Sequence, residues 1–277
     1  MSFIRAIGSE FQKVFTTRMW WLLALLLAGY VALMSGGFGA FLGWASANPD
    51  AAAAAGGGGT PIAPGLDLAP LVYSFATSIG YVFPVLLGAL AVTGEFRHKT
   101  LTPTFLAEPH RTTVLTAKFL SQFAMGAGLG VIAFAVSVGT GAAALAGFGL
   151  DTGLDDPDTW ALIGRGVLAM ALWGAIGVGL GALVPNQVAA IVIVIAFTQF
   201  VEPILRFTAS LNEVTANIGK FLPGAASDAL VGASFYNIAS LGTAATLEWW
   251  QGGLVLLGIA LVATFIGGAT TWRGDVS

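Results

Sequence analysis

The side chains capable of chemistry concentrate in one stretch, Gly94–Arg111 (GEFRHKTLTPTFLAEPHR), where Glu95, Arg97, Lys99, Glu108 and Arg111 stand beside both histidines of the chain, His98 and His110. Charged residues are 9% of the 277 and hydrophobic ones 56%, so a cluster this dense must lie in water or against a wet partner surface. Hydrolysis needs a nucleophile within reach of a base, and the two histidines lie in this island, away from the serines of the apolar runs. The absence of cysteine excludes a disulfide framework, a thiolate metal site and a catalytic thiol. Catalysis by this chain is not expected; what the island offers is anchoring and docking.

The other chemical patterns weaken in their surroundings. Asp151, Asp155, Asp156 and Asp158 gather at a turn, but the calcium-loop spacing with its central glycine and terminal glutamate is missing. Gly126, Gly128 and Gly130, like Gly174, Gly177 and Gly181, lie inside apolar runs, where small residues three or four apart let helices approach closely. No Gly-x-x-x-x-Gly-Lys-Ser/Thr phosphate loop occurs, and Gly56–Gly59 has neither a preceding strand nor a following Lys-Ser or Lys-Thr. No metal and no cofactor on this chain are expected.

Six runs approach the roughly 20 apolar residues that a bilayer crossing takes, so the expected fold is all-α and polytopic, a single transmembrane domain. Residues 2–17 place Phe3, Ile4, Ile7, Phe11, Val14 and Phe15 on one helical stripe, with Arg5, Ser9, Gln12 and Lys13 opposite, predicting an interfacial helix whose cations meet anionic headgroups. Spans follow at about 19–44, 70–93, 113–148, 157–184, 187–201 and 249–271. The run from Met19 is too long for a secretory h-region of about 7 to 15 residues. Gly36-Gly37 predicts a bend, Pro84 a kink, residues 46–69 a flexible connection, and Asp156-Pro157 a helix start. Residues 202–247 are predicted to form two short helices outside the bilayer, parted at Pro223-Gly224, with Asn212 and Ser227 as caps; Trp272-Arg273 marks the end of the last span. As drawn, no span carries a central ionisable group, which disfavours ion coupling.

Arg5, Lys13, Arg18, Arg97, Lys99, Arg111, Lys118 and Arg273 fall on one side of this topology, eight of the eleven Lys and Arg. That bias predicts a cytoplasmic face bearing both termini and the island. Within the island Thr102 can cap and Pro103 can begin a short helix. Its Phe105 and Leu106 are apolar side chains that either seek a groove on a partner or dip into lipid as part of a snorkelling turn.

The run Thr93–Leu101 (TGEFRHKTL), then Thr104–Arg111 (TFLAEPHR) and Ala117-Lys118, resembles the first cytoplasmic loop of ABC type-2 exporter permeases. There a glutamate, a basic residue and a threonine lead into a short apolar helix, followed by proline and arginine before a lysine that opens the third span. The interfacial helix, the six spans and a broken-helix segment with Leu222-Pro223-Gly224 extend the likeness over nearly the whole chain. Departures are Lys99, where glycine is common, Pro103 within the segment, and Glu108 and His110 beside Pro109.

The resemblance implies a transmembrane permease subunit, multi-pass in a bacterial cytoplasmic (inner) membrane. Its partners would be an ABC ATPase subunit that holds ATP and Mg, a second permease subunit as homodimer or related heterodimer, and the lipid bilayer, with no nucleic acid. It implies docking of the ATPase on Glu95, Phe96, Arg97, Thr100, Thr102, Phe105, Leu106, Pro109 and Arg111, with Arg111 and Lys118 near the headgroups. Leu222, Pro223 and Gly224 would form an extracytoplasmic gate, and the first, second and fifth spans would line the pathway. Aromatic and aliphatic span surfaces, such as Tyr30, Trp173, Phe197 and Phe200, suit a hydrophobic or amphipathic substrate. Without the resemblance, the residues also accommodate an ATP-independent secondary carrier or assembly factor, or a membrane enzyme.

Overall fold

A computed structural model describes residues 3–54, 67–209, 213–233 and 246–273. Every regular element among them is helical, and six helices are long and apolar enough to cross a membrane: Met19–Ala47, Leu68–Arg97, Arg111–Gly147, Pro157–Leu183, Gln187–Ala209 and Trp249–Ala269. The protein is an all-α polytopic membrane protein. Helix α1 (Phe3–Thr16) precedes the first of these, α2 (Met19–Ala47), which runs without interruption through the glycine pair at 36–37. A short helix α3 (Pro49–Ala54) follows; Gly56–Gly59 of the expected linker, and Asn212 of the expected caps, lie outside the described residues.

The second membrane helix is broken, though not at its proline. Helix α4 (Leu68–Ser78) stops, Ile79–Tyr81 turn, and α5 (Val82–Arg97) begins. Pro84 sits in the first turn of α5, where a missing N–H leaves no intrahelical bond unmade. Gly80 is the residue the break requires, because a Cβ there would overlap the Ala76 carbonyl. After α6 (Leu101–Ala107), helix α7 (Arg111–Gly147) rises for 37 residues, roughly 55 Å, and so projects beyond a hydrocarbon core of about 30 Å.

Helix α8 (Pro157–Leu183) starts as expected: the Asp156 side chain accepts from the Asp158 N–H at 2.9 Å, and Pro157 takes the first position. It is the hub of the bundle, packed against α5, α7 and the last membrane helix, α13 (Trp249–Ala269). The approach is backbone to backbone. A Cβ on Gly126 would lie 3.0 Å from Ala171 Cα of α8, one on Gly177 would overlap the Val85 carbonyl, and one on Gly267 would lie 2.6 Å from the Ala182 Cβ. Gly128, by contrast, faces open space. Ser35 and Ser137 join α2 to α7 through a hydroxyl–hydroxyl bond of 2.9 Å, the polar link that apolar surroundings favour between helices.

The fifth membrane helix runs further than its apolar stretch. Helix α9 (Gln187–Ala196), capped by the Asn186 side chain, passes through a π turn (Phe197–Val201) into α10 (Glu202–Ala209). The Glu202 N–H reaches back five residues to the Phe197 carbonyl, and the widened turn relieves the clash that Pro203 would otherwise make with the preceding turn. Glu202 and Arg206 therefore lie within the fifth membrane helix, which corrects the expectation that this span ends at 201 and that both residues belong to the segment outside the bilayer. Helices α11 (Glu213–Gly219) and α12 (Pro223–Val231) follow; Ser227 lies buried in the middle of α12 rather than at its cap.

The close packing makes a sharp prediction. Gly177→Val should cost about 3 kcal/mol or prevent recovery of monodisperse protein in detergent, whereas Gly128→Val should stay within about 0.5 kcal/mol of wild type. Thermal unfolding of the two variants in one detergent compares them directly; equal stability would contradict the packing.

Candidate functional site

Helix α1 buries Ala6, Glu10 and Val14, spaced four apart, against α7, while Ile4 and Phe15 stay exposed on its outer side. The buried face thus carries an acid, which the apolar stripe of the sequence does not reveal. Lys13 Nζ donates to Glu10 Oε1 at 2.6 Å and to Glu95 Oε1, from α5, at 2.7 Å. Lys118 Nζ, from α7, donates to Glu10 Oε2 at 2.6 Å, lies 2.9 Å from Glu95 Oε1, and also reaches the Ala91 carbonyl at 3.3 Å. Two ammonium and two carboxylate groups form a closed ring of balanced charge. Three members are nearly out of water: Glu10 is 3%, Glu95 7% and Lys118 1% exposed.

These positions revise three expectations. Lys13 does not reach for headgroups, Lys118 is the most buried charge of the ring, and Glu95 turns inward rather than toward a partner's rim. Burial would lower the Lys13 pKa, but the Glu10 and Glu95 charges and hydrogen bonds outweigh it and hold the amine above its usual value.

The ring stands at the base of the island. Helix α5 ends in a Schellman motif: the Thr100 N–H bonds the Glu95 carbonyl at 3.0 Å and the Lys99 N–H bonds the Phe96 carbonyl at 3.3 Å. Lys99 takes the left-handed conformation that this motif reserves for glycine, with φ of 54°, at a cost of roughly 1–2 kcal/mol. Helix α6 starts after Thr100, so Thr102 lies inside it and does not cap it. At the far end of the loop, Glu108 Oε1 sits 2.9 Å from His110 Nδ1 and accepts from the His110 N–H at 3.3 Å, next to the start of α7.

The inner side of α6 is fixed by the chain's last described turn. Trp272, expected at the membrane boundary, is buried instead in the island, edge-on to Phe96 and Phe105 with ring centroids 5.7 Å away in each case. Trp272 Nε1 donates to the Arg111 carbonyl at 3.1 Å, and Arg111 Nη1 donates to the Trp272 carbonyl at 2.8 Å. The Arg111 guanidinium lies 4.8 Å from the Phe105 ring centroid, so it belongs to this cluster rather than to the headgroups. Leu101 is wholly buried beneath it. The opposite side of the island exposes Arg97, Thr100, Thr102, Leu106 and Pro109, with Leu106 80% accessible. Of the nine expected docking residues, those five face outward, whereas Glu95, Phe96, Phe105 and Arg111 are partly or wholly covered and hold the others in place.

The Leu222-Pro223-Gly224 segment lies elsewhere, where α12 meets the fifth membrane helix. Pro223 opens α12, and the Gly224 N–H donates to Glu202 Oε1. A Cβ at Gly224 would overlap that carboxylate, so the glycine admits Glu202. Arg206 pairs with Asp228 beside it, and Trp173 Nε1 donates to Ser227 Oγ at 3.1 Å. Glu202 escaped the sequence reading because the apolar run stops there while the helix does not. Glu10 could have been found as the acid three residues before Lys13 on an otherwise apolar face.

No family model matches the chain, and no curated protein matches it.

The ring predicts a specific pattern of stability. Lys118→Met leaves two buried carboxylates facing one lysine and should cost about 3–5 kcal/mol, and adding Glu10→Gln should recover part of that loss. Lys13 adds a pH dependence. Because its folded pKa is raised, its stabilisation is complete below the ordinary lysine value of about 10.4 and is lost as pH rises through the higher folded value. The unfolding temperatures of wild type and Lys13→Met should therefore change in parallel with pH around neutrality, and above about pH 10.4 the wild type should fall more steeply than that variant. Parallel profiles, or a Lys118→Met protein as stable as wild type, would contradict the ring.

Proposed function

We propose that this chain is the transmembrane permease subunit of an ABC-type exporter, moving a hydrophobic or amphipathic substrate with ATP hydrolysed by a separate nucleotide-binding subunit. The observation that carries this reading is α6: a seven-residue helix anchored on one side by Trp272 and presenting an exposed Leu106 on the other, at the polar end of the bundle. An apolar side chain on a fixed polar surface fits a groove on a partner, with Arg97, Thr100, Thr102 and Pro109 around it.

In this reading the island faces the cytoplasm of a bacterial inner membrane with both termini on that side. The ATPase subunits hold ATP and Mg, and two permease subunits stand side by side. Closure of the ATPases displaces α6. Because α6 is tied to the ends of α5 and α7, and through the ring to α1, the displacement passes to the membrane helices as a change of tilt. The fifth helix leaves Val188, Val192, Phe200 and Ile204 exposed, apolar surface that a second subunit or lipid can cover. The Leu222–Gly224 segment, bonded to Glu202, is the gate at the other end.

An ATP-independent carrier draws support from Glu202 and Arg206 within the fifth helix, but it gives α6 no task. The experiment that separates the two is affinity purification of the tagged chain from its native membrane, followed by measurement of ATP hydrolysis in the eluate. The exporter reading predicts hydrolysis with the wild type and its loss, at unchanged yield and unfolding temperature, with Leu106→Asp. An eluate without ATPase activity, or undiminished activity with Leu106→Asp, would overturn it.

A further inference from the structure

The ends of three membrane helices enclose a crevice beside the charge ring. Its walls run from the joint of α1 and α2 (Val14, Met19) along α5 (Leu87, Leu90, His98) to Gln187 at the start of α9, and it measures about 420 Å³, within the roughly 300–1,000 Å³ of sites that take up an organic ligand. The crevice changes character along its length. Leu87 and Leu90 line its deep, aliphatic part, and His98 stands roughly 16 Å away along α5, at the mouth. The mouth lies where α2 begins, α5 ends and α9 begins, which places it at the boundary between hydrocarbon and water.

Charge at the mouth does not balance. The ring members Glu10, Lys13, Glu95 and Lys118 line the crevice too, but they neutralise one another, and no other acid among the described residues lines it. Arg97 stands at the mouth, its Nη1 donating to Gln187 Oε1 at 3.3 Å. Arg18 lies in the chain between Thr17 and Met19, which both line the crevice, and Lys99 follows His98. All three cations are exposed, and none has an acidic partner among the described residues. The His98 ring and the Thr100 hydroxyl add donors at the same mouth, neither of them hydrogen-bonded to a described residue.

We infer that this crevice holds one anionic phospholipid, with its phosphate at Arg97, His98 and Thr100 and one acyl chain along Leu90 and Leu87. An aliphatic channel whose bilayer-surface end carries unpaired donors and cations matches a molecule that is hydrocarbon at one end and an anion at the other. A free phosphate would leave the aliphatic part uncovered, and a neutral lipid would leave Arg97 without a counter-charge. The site is independent of any ATPase, since all its residues belong to this chain. Arg97 and Thr100 also belong to the outward face of the island, so the test uses the chain alone.

The test is native mass spectrometry of the purified full-length chain in detergent, titrated with dioleoyl phosphatidylglycerol. One lipid per chain should bind saturably, at least about fivefold more tightly than dioleoyl phosphatidylcholine. It should stay bound in excess glycerol phosphate, which carries the anion without the chains. Leu90→Trp, which fills the aliphatic part, should weaken binding by about tenfold, and Arg97→Gln by about fivefold. If Leu90→Trp does not yield monodisperse protein, Arg97→Gln decides. Equal affinity for the two lipids, displacement by glycerol phosphate, or wild-type binding in the variants would overturn the inference. So would a Leu90→Trp protein that loses a second copy of the chain rather than a lipid, which would assign the crevice to a contact between subunits.

Discussion

Four charges, Glu10, Lys13, Glu95 and Lys118, three of them nearly out of water, fix the polar end of this bundle. Each carboxylate faces both ammonium groups, so no member can leave without stranding a charge in a poorly solvated site. Desolvation offsets much of the attraction, and the value of such a ring lies less in net stability than in register. It closes only when α1, the end of α5 and the start of α7 hold one arrangement. An amphipathic helix such as α1 would otherwise float in the interface, held by its apolar stripe alone; the ring binds it to the second and third membrane helices.

The island inherits its rigidity from that base. Its first strut is the Schellman ending of α5, where Lys99 accepts left-handed strain so that α6 can start at once. The second is the reciprocal pair of hydrogen bonds between Arg111 and Trp272, with Phe96 and Phe105 packed around the indole. The loop between two membrane helices thus forms a short anchored element with one large apolar side chain, Leu106, left outside. A mechanical coupling to a partner needs this combination of a firm base and an exposed tip. At the other end the arrangement is reversed: polar groups of α10 and α12 point inward around a cavity, where the helices lose their regular turns.

The sequence made the membrane helices legible because hydropathy over about 20 residues is a strong signal, and it made the cap at Asp156 legible because its partner is two residues away. The ring was not legible. Glu10 and Lys13 are local to each other, but Glu95 and Lys118 join them from 82 and 108 residues away, and only the packing of α1 on α7 unites them. Trp272 beside Arg273 has the pattern of an interfacial anchor, and nothing local distinguishes that from a buried indole. The break at Gly80 misled for a related reason: Pro84 is the louder residue, yet its place in the first turn of α5 makes it harmless. Glu202 was lost because composition ends the apolar run where the helix, relaxed by a π turn, continues.

If the island is a fixed element rather than a mobile loop, amide hydrogen exchange of the purified chain in nanodiscs shows it directly. The amides of α6 should exchange at least a hundredfold more slowly than an unstructured peptide, as an order of magnitude, and should lose protection together with those of α1 in Lys118→Met. Exchange of α6 at the rate of an unstructured peptide in the wild type, or protection of α6 and α1 untouched by the substitution, would contradict it.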